Sequence, residues 1–525
     1  VSGLSRRGVL LGAVVVGVPL LAGCGGKKVP GGEAGGDPSG GASPEATGSG
    51  GAAPSASGAA SPGAGAARLD SGGSSGPMSV VVGPAVRVEG HTVVRLRFES
   101  EKIATPHLGQ GHDLRDVCLL SLEQGLVWRN QDQGGWTTLG DSVKPGSPVD
   151  LFAVFGDLDA QVGSVQVLVP NYGVALGVAV VEPSQAGYDA MEGLRKAKIN
   201  ASLGQGLPIE FFSGAADGSL DTQRDGGQVT VSLASDVTFA VDSDQLSVQA
   251  DGVLAGAVAE LGLYPSGGSL SIVGHTDDVA DDAYNQALSE KRAASVRKRL
   301  GELMDLSKWQ VSESGKGESE PRVQGSDEEA RAANRRVEVV AKPADPQEAE
   351  ERRRAVLAQG SEPAPEGPVG KGPEGVTAPL VGSSSKGSWK VTLDKVTRIG
   401  SFLVGNLHAQ NPDGGTGDMQ QYMQLPSPFF YRWGDGVADG PGSASLTLLK
   451  GGVRYLAADY KGEKGFTPLT TLNLASVGHG ATQTLPVVWP DPGGDTVTVD
   501  LPGASKKYKL RGLICRLTDV PVVQG

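Results

Sequence analysis

The stretch Gly274–Leu300, GHTDDVADDAYNQALSEKRAASVRKRL, commits the middle of this chain to a strand followed by a packed helix. An apolar run, Leu270–Val273, reads as a strand, and Asp277 stands just past its end. From Tyr284 the spacing predicts an amphipathic helix. Val296, Leu300 and Leu303 fall at i, i+4 and i+7, which is one face at about 100° per residue. Counting back along that face reaches Arg292 and Asn285, so a guanidinium and an amide begin a stripe whose other end is core. A half-buried arginine needs a partner, and Asp277 is the nearest acid in sequence logic. Either the two bridge each other, or together they hold a group carrying both an ammonium and a carboxylate. In the second case the aspartate accepts from the ammonium and the arginine forks onto the carboxylate.

The surrounding residues alternate element types. A strand is expected at Val237–Val241 and a helix near Ser247–Leu261, with Leu254, Val258 and Leu261 on one face. After strand Leu270–Val273 and helix Tyr284–Leu303 come a strand at Trp309–Gly315, a short helix at Asp327–Asn334 and a strand at Arg336–Val340. Such alternation calls for helices covering a sheet.

This block resembles the OmpA-like peptidoglycan-binding domain, shared by OmpA C-terminal regions, Pal lipoproteins and MotB. The matching motifs are GHTD (Gly274–Asp277), YNQALSEKRA (Tyr284–Ala293), GKGESEP (Gly315–Pro321) and EARAANRRVEV (Glu329–Val339), after an opening VTFAVDSDQL (Val237–Leu246). The resemblance covers about 110 residues. It implies helices packed on one face of a mixed sheet. It also implies that Asp277 and Arg292 bind the diaminopimelate of the peptidoglycan stem peptide, with Thr276, Asn285 and Arg336 lining or supporting the pocket. One departure is Ala280, where the family usually has a glycine that eases a tight turn.

The amino-terminal residues read as an address. SRRGVLL (Ser5–Leu11) carries the twin arginines of a Tat signal, a small and apolar run follows, and LAGC (Leu21–Cys24) looks like a lipobox. That makes Cys24 the expected lipidation site, and residues 1–24 the signal peptide. Residues 25–77 are Gly, Ala, Ser and Pro with almost no apolar bulk, and are expected to be a disordered tether. As a flexible coil it would span roughly 40 Å. The expected location is the extracytoplasmic face of the cell membrane, lipid-anchored and associated with the wall.

The remaining organisation follows from strand patterning. Residues 78–183 and 388–525 read as β-sandwich-like domains, from short apolar or alternating runs between Gly, Asp and Pro. They flank the α/β block at 227–343, making a multi-domain α+β chain. Residues 184–226 read as a connector with a short helix at Tyr188–Lys198, and 344–387 as a charged helix followed by a Pro/Gly linker. DLFAVFGD (Asp150–Asp157) and TLPVVWPD (Thr484–Asp491) each pair an aromatic, Phe155 or Trp489, with a following Asp, and each precedes a strand ending in Pro170 or Pro502. A duplicated sandwich is one reading; chance likeness of β-rich strands is the other.

Other function classes fit less well. The formal charge is −13, from 46 basic and 59 acidic residues, which argues against nucleic acid as a partner. Asp277, Asp278, Asp281 and Asp282 crowd together, but only His275 adds nitrogen, and the spacing fits no calcium loop. No catalytic residue, metal or cofactor is expected. The alternatives are a peptidoglycan-active or metal-dependent hydrolase, and a MotB-like wall-anchored membrane component. The Gly8–Gly23 run lacks the acid that a stator helix needs. With aromatics at 5%, no girdled outer-membrane barrel is expected. Cys118 and Cys515 either form a disulfide or stay as buried thiols. The sandwiches are candidates for protein partners.

Overall fold

The computed structural model describes residues 65–525 apart from 74–75, 107, 109–113, 131–141, 198–203, 226, 241, 347–361, 380–387, 412–431, 434–441, 463–464, 473, 475–476 and 503–512. Cys24, the twin arginines and the body of the charged 344–387 segment lie outside the described residues. Strands dominate and helices are few. Among the described residues the strands fall into a nine-stranded sheet, a sixteen-stranded sheet and a two-stranded hairpin.

In the central block the helices Ala250–Leu261 and Asp282–Leu303 cover one face of a sheet. Strand Gly268–Gly274 lies between Trp309–Gly315, which is parallel to it, and Arg336–Pro343, which is antiparallel. Gln228–Ala234 pairs antiparallel with Arg336–Pro343 on its other side. The parallel pair is joined through helix Asp282–Leu303, as a parallel connection requires. The sheet's alternation is clean: Val231, Leu233, Leu270, Ile272, Val337 and Val339 face the helices and are buried.

Several expectations are corrected. The strand expected at Val237–Val241 is not found among the described residues: Ser235–Thr238 is a helical turn, and Val241 lies outside them. Thr238 Oγ1 donates back to the Ala234 carbonyl at 2.8 Å, and the sheet position is filled by Gln228–Ala234 instead. Leu303, placed on the core stripe, is 37% exposed, and Met304 and Leu306 pack on the core just after it. The 25–77 tether ends earlier than expected. Ala67–Gly73 is a strand antiparallel to Pro77–Val82, with Ala67 and Leu69 packed on a core and Arg68 paired to Glu99. The 344–387 linker contains strands Val369–Lys371 and Val376–Pro379, whose Val376 and Ala378 side chains are buried. The 184–226 connector holds helix Ala190–Lys196 and the hairpin Phe211–Ala215 with Leu220–Asp225. That hairpin joins the central sheet, through Gln228–Ala234, to strand Val453–Tyr455 in the carboxy-terminal region.

The two β-rich regions repeat one topology. In the first, the neighbour order is 149–155, 91–100, 76–88, 173–181, 164–169, 118–121, 126–129; in the second it is 482–490, 402–410, 396–399, 515–524, 496–501, 447–450, 453–455. Chain order and relative strand direction agree throughout. The register agrees too: the row Ala153–Val94–Ala85–Val180 matches Val487–Gly405–Val396–Val522. Both carry an irregularity at corresponding places, Val165/Val167 and Val497/Val499. Phe155 and Trp489 fall at equivalent positions, each two residues beyond the shared row. Chance likeness between strands does not reproduce pairing, direction and register together, so the duplication reading stands.

The repeats contact each other through unlike faces. Cys118, Leu120, Val127, Leu168 and Val174 of the first repeat pack against Phe402, Val404 and Val488 of the second. The residues equivalent to the first group in the second repeat are Thr447, Leu449, Arg454, Asp500 and Arg516. There Asp500 accepts from Arg454 at 2.9 Å and from Arg516 at 2.8 Å, and Arg516 also donates to the Pro363 carbonyl. The residues equivalent to Val404 and Val488 are Val93 and Val154, which lie under Ala190 and the rest of helix Ala190–Lys196. Cys118 and Cys515 are both free and buried, one in each repeat. Burial pushes both thiols up to about 12.

Candidate functional site

Close packing of a helix on a strand builds the site. A Cβ on Gly274 would sit 2.1 Å from the Ser289 carbonyl oxygen, and one on Gly315 would sit 2.3 Å from Ser289 Oγ. Glycine at the same end of both parallel strands, Gly274 paired with Gly315, therefore lets helix Asp282–Leu303 approach the sheet. Asp281 caps the helix by accepting from the Tyr284 amide at 2.9 Å, a favoured N-cap. The loop between strand and cap carries His275, Thr276, Asp277 and Asp278.

Asn285 ties that loop down. Its Nδ2 donates to the carbonyls of Asp277 and Ala280 at 3.2 and 3.3 Å, and to Glu318 Oε2 at 2.6 Å. The Thr276 amide donates to the Gly317 carbonyl at 2.9 Å, and Ser289 Oγ accepts from the Gly317 amide at 3.0 Å. A cavity of about 350 Å³ results, lined by Thr276, Asp277, Asp278, Glu318, Pro321, the segment Val323–Ser326 and Asn334. Thr276 is buried, and its Oγ1 has no hydrogen-bond partner among the described residues.

Asp277 and Arg292 do not bridge each other. Asp277, whose side chain is 15% exposed, accepts from Arg335 Nη1 at 2.8 Å. Arg292 is buried; its Nε donates to the Ser243 carbonyl at 3.0 Å, and its guanidinium lies 5.1 Å from the Phe239 ring centre. Among the described residues Arg292 forms no ion pair, and burial pulls its pKa below the usual arginine range, against the attraction of Asp236, Asp242 and Asp277. A desolvated guanidinium with no carboxylate on its fork is a poor structural element and a good anion receptor.

Arg336 sits behind the pocket. It is buried and donates to Glu338 Oε1 at 2.7 Å, and it reaches the carbonyls of Asn334 and Glu320. Its neighbour Arg335, which sequence reasoning missed, holds Asp277, Asp236 and Glu328 together. Those side-chain bonds raise its pKa further. Glu318 was missed as well. His275 is buried, with Nε2 3.8 Å from Glu338 Oε2. Burial and nearby Arg336 depress its pKa to about 4, so the ring is neutral at pH 7.

Chemically, the loop offers an acidic cavity beside a separately desolvated guanidinium. Asp277, Asp278 and Glu318 supply negative oxygens to a cation, although Asp278 is partly engaged by Arg331 at 2.7 Å.

Residues 238–335 match the OmpA family. Over 166 residues the chain is 32% identical to the peptidoglycan-associated lipoprotein of Pseudomonas putida, a span covering 32% of this chain and 91% of that protein. Over 108 residues it is 38% identical to outer membrane porin F of Pseudomonas aeruginosa, covering 21% of this chain. It spans 31% of the porin's length, under a third. The crystal structure of the peptidoglycan-associated lipoprotein from Burkholderia pseudomallei is 33% identical, with a TM-score of 0.17, and covers 20% of this chain and 86% of that one.

Proposed function

The chain belongs to the OmpA family, and from that premise we propose that it binds peptidoglycan without turnover, through the diaminopimelate of the stem peptide. The observation that carries this reading is the buried Arg292, on the helix beside the Asp277 loop, with no ion pair among the described residues. The Asp277 carboxylate receives the ligand's ammonium and the Arg292 fork its carboxylate. Thr276 offers a hydroxyl, and Asn285 fixes the loop. Arg336 supports the pocket from behind through Glu338 rather than touching ligand. The peptidoglycan association named for the Pseudomonas putida relative favours the same ligand class.

The same reading makes the protein a membrane-to-wall linker. Lipid on Cys24 holds one end, and the Gly/Ala/Ser/Pro stretch gives reach. A weak wall site then acts at the effective concentration the tether sets. Titration of the full chain with a diaminopimelate-containing muropeptide tests the pocket. Asp277→Asn and Arg292→Ala should each weaken binding tenfold or more, since a charge-assisted bond is worth about 1.5–3 kcal/mol. Wild-type affinity in both variants overturns the assignment. Mass spectrometry should show diacylglycerol on Cys24, and a mature chain starting elsewhere overturns the anchor.

A further inference from the structure

We infer that Asp221 and Arg322 position one wall of the Asp277 cavity, so that the wall site of this chain leans on a strand outside the residues that match the family. The inference rests on the wall-binding reading above. Part of the cavity wall is Pro321 with the segment Val323–Ser326. Arg322 sits between two lining residues, Pro321 and Val323, and does not line the cavity itself. Its guanidinium forks onto Asp221, with Nη1 2.8 Å from Oδ2 and Nη2 3.2 Å from Oδ1, and it also donates to Ser232 Oγ. Asp221 and Ser232 face each other across adjacent antiparallel strands, which makes them a matched pair of acceptors. The two charged side chains are only 16% and 12% exposed. A bidentate pair at that depth fixes geometry far better than a surface pair does.

The other ties on this segment are local to the block. Asn334 exchanges two bonds of 2.9 Å with the Val323 backbone, and Arg336 reaches the Glu320 carbonyl at 3.4 Å. Arg322 alone among these reaches strand Leu220–Asp225. That strand pairs with Phe211–Ala215, which in turn pairs with Val453–Tyr455 of the second repeat. The cavity wall is thereby registered against the sheet that runs into the carboxy-terminal region. Asp221 is a positioning residue: it touches no ligand and acts through Arg322.

The test uses the full chain and a stem tripeptide ending in diaminopimelate. Asp221→Asn should bind it about tenfold more weakly, Asp221→Glu within about twofold of wild type, and the exposed control Asp217→Asn like wild type. In the unliganded protein Asp221→Asn should also speed amide exchange at Val323 and Gly325, with Ile272 and Val339 still protected. Wild-type exchange at Val323 and Gly325 in a folded Asp221→Asn protein overturns the positioning role, and so does unchanged tripeptide affinity. If wild type fails to bind the tripeptide, the wall-binding reading fails, and the exchange result alone then decides the positioning claim.

Discussion

Replacing His275 by Gln should abolish a specific part of the protein's acid sensitivity. The ring is 2% exposed and lies beside Arg336, and its pKa is about 4 instead of the ordinary 6.5. Folding therefore favours the neutral form. Above pH 6.5 both states are neutral, and the group contributes its full stabilisation. Between pH 6.5 and 4 the unfolded chain takes up a proton that the folded chain refuses, so stability falls as pH drops. A tenfold loss of proton affinity on folding is worth about 1.4 kcal/mol, which gives a total of about 3 kcal/mol, and about 2.5 kcal/mol of it is lost by pH 4.5. Carboxylates titrate in the same range, but they do so in both proteins and cancel in the comparison. Protection of the Ile272 and Val339 amides, measured at pH 7.5 and pH 4.5, reads the opening of the strands around the ring. Wild type should lose about 2.5 kcal/mol more than His275→Gln between the two pH values. Equal losses would mean that the imidazole is either protonated in the fold or hydrated, and the reasoning would fail.

Other perturbations have defined outcomes. Arg335→Met should lower stability by about 2 kcal/mol in urea unfolding, mostly by leaving the part-buried Asp277 without its cation, since the Asp236 and Glu328 contacts are exposed and worth little; an unchanged midpoint would refute that division. Gly274→Ala should cost about 1–3 kcal/mol, because its Cβ would meet the Ser289 backbone and force helix and strand apart; thermal unfolding at the wild-type temperature would show that the contact relaxes freely. In a chain carrying Cys24→Ser, the remaining thiols should resist Ellman's reagent at pH 8 until denaturant is added, and rapid native labelling would refute their burial.

The helix of the site was legible because its signals are local. A 3.6-residue stripe and the buried pair Asn285 and Arg292 sit on one element, whereas its start at Asp282, capped by Asp281, came only with the structure. The role of Arg335 was not, because two consecutive arginines cross a helix-to-strand junction. Backbone angles at Arg335 decide which of them faces the loop. A usable signal existed: Glu338 lies two residues beyond Arg336, on the same strand face, and so claims it. The connector hairpin also carries a signal. Asp217–Gly218 is a turn dipeptide between Phe211–Ala215 and Leu220–Asp225, with Gly218 at φ 76°. Its strands mix Ser, Gly and charge, which hides them from a hydrophobic pattern. The Val237–Val241 error has the opposite cause. Apolar side chains fill a core from a helical turn as readily as from a strand, and composition does not distinguish them.

Contact between unlike faces of two like units leaves one free face of each kind, which can take a third unit, then a fourth, until the rotation closes the series into a ring or it runs on as a filament. The two repeats meet in this manner, yet the series stops at two. On the second repeat, the surface that would accept the next unit has become the Arg454–Asp500–Arg516 cluster. Those charges are already buried and paired with one another, and Arg516 is also tied to the Pro363 carbonyl, so the cluster presents no apolar partner to an incoming apolar face. On the first repeat, the opposite surface is roofed by Ala190–Lys196, and the missing side chain of Gly193 lets that roof lie against Phe152 and Val93. A duplication whose unlike faces could otherwise take further units is thus terminated at both ends by the chain's own residues.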